Sequence, residues 1–296
     1  MVVNLKVYYD CAPCFLRQAR DAMDLACDDE DLKIELMEDI FKFLSENYDS
    51  NASSNKTGSQ IHKHIKEKTN CADPYYKQKK LGNQIALKYL PIVKNLLDEN
   101  DNLENHVKIA ILGNLLDFGA FELGTNIEDL IKKNLNDDLA INDSEKLEKD
   151  LKKHKDLLYL VDNTGEIVFD KLLLSKIKDY NINISIAVKE RPILNDACME
   201  DALEVGLDEY GDIISIGADT IGIVYSEISK DFKEIFDNSD FIISKGLGNY
   251  EGLTEIDLSN KYVYFLLCAK CSTIAKDLDI NMQEMILVKN RNLFIS

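Results

Sequence analysis

A change of pattern near residue 155 constrains this chain more than any other feature. Beyond it, short apolar runs alternate with amphipathic stretches: LLYLV (157–161), INISIAV (182–188), DIISI (212–216), DFIIS (240–244), YVYFLL (262–267) and MILV (285–288). Runs this short suit buried strands, and the intervals between them leave room for helix and loop, so a mostly parallel, doubly wound sheet is expected. Before residue 155 the apolar residues recur at helical spacing instead, as in Ala19, Met23 and Ala26, in Leu36, Ile40, Phe43 and Leu44, and in Ile85, Leu90, Val93 and Leu97. The expected class is therefore α/β, with a mainly helical domain over 1–155 and an α/β domain over 156–296. Asn47 to Gln60 is polar and turn-rich and reads as a mobile loop, whereas Asn134 to Lys155 reads as a solvated helix or linker.

Acidic residues outnumber basic ones by 53 to 35, a net charge of −18, which argues against nucleic acid or an anionic membrane as partner. A small phosphorylated metabolite remains compatible, because a local cation overrides the global field. The longest apolar stretch of the second half, Tyr262 to Ala269, is too short to span a membrane, and a cytoplasmic protein is expected.

In open α/β sheets ligands bind beyond the carboxyl ends of the strands, so the residues after each apolar run carry the most information. These are Asp162-Asn163-Thr164-Gly165-Glu166, Lys189-Glu190-Arg191-Pro192 with Asn195-Asp196, Gly217-Ala218-Asp219-Thr220, and Lys245-Gly246-Leu247-Gly248-Asn249-Tyr250. Any one of these clusters is ordinary turn or helix-cap chemistry; four at successive strand ends suit a hard cation plus an anionic group. Asp162, Asn163 and Asp196 offer oxygen ligands to Mg²⁺ or Mn²⁺. Lys245, on a glycine-flanked loop, is a candidate catalytic cation for a phosphoryl group, and Arg191 is a candidate phosphate clamp.

These segments, with Gly113-Asn114-Leu115-Leu116-Asp117-Phe118, resemble the domain-of-unknown-function 89 family of metal-dependent damage-control phosphatases along nearly the whole chain. Cys11-Ala12-Pro13-Cys14 and Lys270-Cys271 are similar to its cysteine-bearing prokaryotic branch. The resemblance implies a helical portion packed on a Rossmann-like sheet, a divalent metal (Mg²⁺, Mn²⁺, Co²⁺ or Ni²⁺) held by Asp162, Asn163 and Asp196, and hydrolysis of phosphomonoesters of small metabolites such as sugar phosphates. Asp162 and Lys245 are then the catalytic residues, with Asn114, Asp117, Arg191, Asp219, Gly246 and Asn249 binding substrate. Whether Asp162 only holds the metal or itself attacks phosphorus stays open.

Two other readings stand beside it: an S-adenosylmethionine-dependent carboxyl methyltransferase, proposed for some relatives, and a non-catalytic metal or metabolite sensor. Hydride transfer is disfavoured, since Gly246, Gly248 and Gly252 lack the G-x-G-x-x-G spacing. Among seven cysteines, Cys11 and Cys14 have the spacing of half a zinc site and Cys268 and Cys271 repeat it. Cys11, Cys14 and Cys271 are candidates for a second, zinc or redox, site; Cys71 is a further candidate ligand, and Cys27 and Cys198 read as core thiols. His62, His64, His106 and His154 are expected on solvated faces.

Overall fold

The computed structural model describes residues 6–115 and 127–290. Three helices, α1 (Cys11–Ala26), α2 (Glu30–Asn47) and α3 (Ser54–Thr69), come first, followed by α4 (Tyr76–Asp98), α5 (Leu103–Leu115), α6 (Ile127–Asn136) and α7 (Ser144–Leu151). The second half alternates: β2 (Asp156–Leu160), α8 (Glu166–Lys178), β3 (Asn183–Val188), α9 (Met199–Glu204), β4 (Asp212–Ser215), α10 (Lys230–Asn238), β5 (Phe241–Lys245), α11 (Leu247–Thr254), β6 (Tyr262–Cys268), α12 (Ser272–Asp277) and β7 (Met285–Lys289). All six apolar runs are strands. A two-residue strand, β1 (Ile141–Asn142), lies inside the stretch read as a linker.

The sheet order is β1-β7-β6-β5-β2-β3-β4, and every pairing is parallel except β6 with β7. Successive residues of each strand face opposite ways, which gives the sheet two cores. Tyr264, Leu266 and Cys268 of β6 join Val93 of α4, Val107 and Ile111 of α5, and Phe169 and Leu173 of α8 on one face. Val263, Phe265 and Leu267 join Phe232 and Phe236 of α10, Leu253 of α11 and Ile274 of α12 on the other. A third cluster, with Phe15, Ala19, Met23, Leu36, Ile40, Ile61 and Ile65, holds α1 to α3 together as a cap.

The apolar interior thus does not divide at residue 155. Residues from Ala86 through Leu151 belong to the core that includes Leu157 and Leu287. Leu139, Leu147 and Leu151 are buried in it, which also corrects the linker reading of Asn134 to Lys155. Nor is Asn47 to Gln60 one loop: Ser53 caps α3 by accepting from the Lys56 N–H (3.4 Å), and Ser54, Asn55, Thr57 and Ser59 are buried. Their small polar side chains let α3 lie close against the loop after β4 and the start of α11, where Ser59 Oγ accepts from the Ile221 N–H (2.8 Å) and Asn55 Nδ2 donates to the Gly248 carbonyl (2.7 Å).

β2 starts the winding in both directions. The chain runs outward to β3 and β4, then returns to the other side of β2 to build β5, β6 and β7. The connections reverse between β2 and β5, so the loops leaving their carboxyl ends diverge to opposite faces and leave a crevice above the sheet.

Candidate active site

Asp162 sits just past β2, on the crevice. Its loop is sewn to the loop after β3: Ala197 N–H donates to the Asp162 carbonyl (2.9 Å), Thr164 N–H to the Asn195 carbonyl (2.9 Å), and Asn163 pairs with Asp196 as an isolated antiparallel bridge. This short ladder brings Asp196 to Asp162 and Asn163, although more than thirty residues separate it from them in sequence. Asn163 Nδ2 also donates to Asp162 Oδ2 (2.9 Å).

From the β5 side, Gly246 makes room for the same carboxylate. It has φ +77°, and a Cβ at this position would lie 1.9 Å from Asp162 Oδ2. Its N–H donates to the Leu266 carbonyl (3.0 Å), so the residue serves here as space for Asp162. Asn249 Nδ2 donates to the Val161 and Lys245 carbonyls (3.0 and 2.9 Å), clamping the ends of β2 and β5, while its Oδ1 is buried without a partner.

The electrostatics are those of crowded carboxylates. Burial, then Glu166 and Asp196, push Asp162 well above the usual carboxylate range, with Lys189 and Lys270 opposing. Burial also pushes Asp196 up to about 6, against the pull of Lys189, whose Nζ stands 3.5 Å from Asp196 Oδ2 and donates to the Gly222 carbonyl (2.8 Å).

Lys245 differs from the expectation of an ammonium open to a phosphate. It is completely buried, and Nζ donates to Glu166 Oε1 (2.5 Å), Asp170 Oδ1 (2.6 Å) and the Ala110 carbonyl (3.0 Å). An ammonium has three N–H donors, so all are committed. Burial opposes its charge, but Asp170 and Glu166 outweigh it and hold Lys245 protonated. Burial pushes Asp170 up to about 6, with Lys245 pulling the other way and Glu166 adding to the rise. Tyr159 donates its hydroxyl to the same carboxylate (2.7 Å).

Arg191 and Asp219 meet at the rim, 3.5 Å apart. Lys63 (3.2 Å) and Lys66 (3.3 Å) of α3 also reach Asp219; burial alone would raise its carboxyl, but Lys66 and Lys63 hold it below the usual range. The Arg191 side chain keeps 70% of its surface exposed. The Asn114 side chain and Asp117 lie outside the described residues.

Cys11 lies close enough to Cys14 and Cys271 for both to act on its thiol, together with Glu251. Ser272 Oγ donates to Asp10 Oδ2 (2.8 Å), so the starts of α1 and α12 do meet. Among the described residues no group of three or more His, Cys, Asp or Glu is arranged to hold a metal ion, at these cysteines or elsewhere. Cys11 Sγ accepts from the Tyr8 N–H, and Cys14 Sγ faces Arg17 and Gln18 of its own helix. Burial raises the Cys11 thiol, which is the reverse of redox activation. Cys198 and Cys268 are buried, while Cys27 is only half-buried. Nor are the histidines all solvated: His62 and His106 are buried, and burial with nearby Lys66 lowers His62 to about 4.

Several site residues carried no readable signal. Asn83 of α4 accepts from the Gly165 N–H through Oδ1 (2.7 Å), and in sequence it is one of many polar residues of an amphipathic helix. Lys63 and Lys66 carry no local signal that separates them from the other lysines of α3. Glu166 and Lys189 stood in the strand-end runs, but nothing local distinguished a buried charge from an exposed one.

The damage-control phosphatase ARMT1-like domain model matches residues 7–286. The chain is 40% identical to the MJ0202 protein of Methanocaldococcus jannaschii over 97% of this chain and 96% of that one. It is 35% identical to the damage-control phosphatase PH1575 of Pyrococcus horikoshii over 97% of this chain and 99% of that one. The damage-control phosphatase of Archaeoglobus fulgidus is 33% identical, over 95% and 98% of the two chains. A crystal structure of the Pyrococcus horikoshii protein, described as a DUF89 family protein, superposes with a TM-score of 0.90, covering 97% of this chain and 99% of that one at 35% identity. With two cores on one doubly wound sheet, an Asp-Asn-Asp crevice at its reversal point and likeness along its whole length, this chain belongs to the damage-control phosphatase ARMT1-like family, also described as DUF89.

Proposed function

We propose that the protein is a divalent-cation-dependent phosphatase acting on phosphomonoesters of small metabolites, with Asp162, Asn163 and Asp196 as the cation's holders. One observation carries the reading: two carboxylates are pressed together and driven up in pKa, and the lysine facing Asp196 stands off at 3.5 Å. A hard divalent cation meets that surplus of negative charge, and two carboxylates with a carboxamide form an all-oxygen set suited to Mg²⁺ or Mn²⁺. When bound, such a cation supplies Lewis-acid polarisation of a phosphoryl oxygen and screens it from the carboxylates.

The chain's own residues do the rest. Asp162 and Asp196 are held in place by the loop ladder, and Asn249 fixes the strand ends beneath them. The Lys245–Glu166–Asp170 cluster sets the field under Asp162; Lys245 is thus a positioning residue, and a direct phosphate contact would require it to leave one of three partners. Arg191, exposed at the rim beside Asp219, is positioned to meet an incoming anion. Family membership favours this reading over the methyltransferase and the non-catalytic sensor. No helix among the described residues is long and apolar enough to cross a membrane. The test is phosphate release from a panel of metabolite phosphomonoesters, using chelator-treated protein with Mg²⁺, Mn²⁺, Co²⁺ or Ni²⁺ added separately. Release that requires one of these cations supports the proposal. Release in chelator alone, or methyl transfer from S-adenosylmethionine without release, would overturn it.

A further inference from the structure

Asn83 projects from α4 to the loop that carries Asp162 and Asn163, and it is 1% exposed. Its orientation is fixed by chemistry. The Gly165 N–H, 2.7 Å away, needs an acceptor, so the carbonyl oxygen must face it and the NH₂ must face the other way. That nitrogen is buried and has no hydrogen-bond partner. A buried donor left unpaired is costly, and native structures rarely keep one unless a ligand or water completes it. The unmet group is a donor, so what completes it is an acceptor. The side chain is anchored on the amide that ends the Asp162-Asn163-Thr164-Gly165 turn, which carries two of the proposed cation holders, and a phosphoryl group bound by that cation would supply acceptor oxygens. The side chain is neutral, so it adds no charge to compete with the cation.

We infer that Asn83 is a substrate-binding residue, its Nδ2 donating to a phosphoryl oxygen of the bound ester while Oδ1 holds the turn at Gly165. This rests on the phosphatase reading above and adds to it a contact supplied by a helix outside the strand-end loops. The two halves of the carboxamide can be separated by substitution. Asn83→Asp keeps an acceptor for Gly165 N–H but puts a negative charge in place of the donor, whereas Asn83→Ala removes donor and acceptor without adding charge.

The decisive measurement is binding of inorganic phosphate to the Mg²⁺-loaded protein by calorimetry, with Mg²⁺ affinity and thermal unfolding measured alongside. In Asn83→Asp, phosphate affinity is expected to fall by about tenfold or more, and further than in Asn83→Ala, while Mg²⁺ binding does not weaken. Asn83→Ala is expected to lose phosphate affinity and melting temperature together. Unchanged phosphate affinity in either folded variant would overturn the inference, as would an equal loss of Mg²⁺ affinity in Asn83→Asp, which would mean a distorted turn. If neither variant folds, a crystal of the parent protein with Mg²⁺ and phosphate decides: a phosphate oxygen within hydrogen-bond distance of Nδ2 supports the role, and one out of reach refutes it. Failure of the phosphatase reading shows separately, as a parent protein that binds no phosphate with any cation. The inference then falls with it.

Discussion

Two buried lysines flank β2 and differ in almost every respect. Lys245 ends β5 on one side, and Lys189 follows β3 on the other. Lys245 is sealed, with both carboxylate contacts at 2.5–2.6 Å and its remaining donor on a carbonyl. Lys189 gives its shorter bond to the Gly222 carbonyl and stands 3.5 Å from Asp196. A closed ion cluster has no vacancy for a ligand and acts as scaffold, whereas carboxylates only loosely met by a lysine keep an appetite for positive charge. On the proposed function a cation would be drawn to the Lys189 side, where Asp196 meets its lysine only at 3.5 Å.

The largest effect that tests this contrast comes from Asp196→Ala. Removing one of two crowded carboxylates should leave the metal-free fold intact while lowering kcat/KM on the best ester by about a thousandfold or more, roughly 4 kcal/mol. Calorimetry showing undiminished Mg²⁺ binding in this variant would break the assignment of the two sides.

Lys245→Met should act in the opposite manner. It strands Glu166 and Asp170 in the interior and should cost about 3–5 kcal/mol of stability, read by denaturant unfolding. A stable Lys245→Met protein that has lost only its response to substrate would instead return Lys245 to phosphate binding.

Acidity sharpens the comparison further. Asp162 lies well above the usual range, and Asp196 and Asp170 lie at about 6, so the folded protein binds protons more tightly than the unfolded chain does. For a raised carboxyl, stability is fully present at low pH and is lost as pH rises from the unfolded value, about 4, through the folded one. Metal-free protein should therefore melt at progressively lower temperature from about pH 4 to pH 7. Added Mg²⁺ should cancel the part due to Asp162 and Asp196 and leave the part due to Asp170. A melting temperature that rises over this range in chelator would contradict both.

The smallest effect is Lys189→Met. Taking away the competing cation near Asp196 should tighten Mg²⁺ binding by a few-fold, since the remaining interaction is long and partly screened. Weaker binding would mean that Lys189 chiefly holds the loops through Gly222.

The sheet was readable because its central strands are buried on both faces and so appear as unbroken apolar runs, and the strand-end rule drew attention to Asp162, Asn163 and Asp196, which the fold brings together. Neither route reaches α3. Its buried face is built from Ser54, Asn55, Thr57 and Ser59, so the usual equation of polar with exposed inverts, and Asn47 to Gln60 looked like a loop. That one apolar core spans residue 155 was hidden for a related reason. α5 is apolar nearly all round, with Val107, Ile109, Ala110, Ile111 and Leu112 buried, and such a helix belongs between layers of whichever sheet encloses it, a fact no local window contains. Lys245 failed differently: its residue type allowed a phosphate contact, and only the position of Glu166 and Asp170 one helical turn apart on α8 reveals that its donors are spent.

The ladder joining Asp162–Thr164 to Asn195–Ala197 has a consequence for the timing of cation capture. Its main-chain bonds are made by the protein alone, so the proposed holders would be assembled before any ion arrives and little conformational entropy would be lost on binding one. The amide hydrogens of Thr164 and Ala197 should exchange slowly with deuterium in chelator-treated protein, and adding Mg²⁺ should slow them little further. Capture would then proceed without waiting for a loop to fold, and its pace would be set by how quickly the ion sheds water.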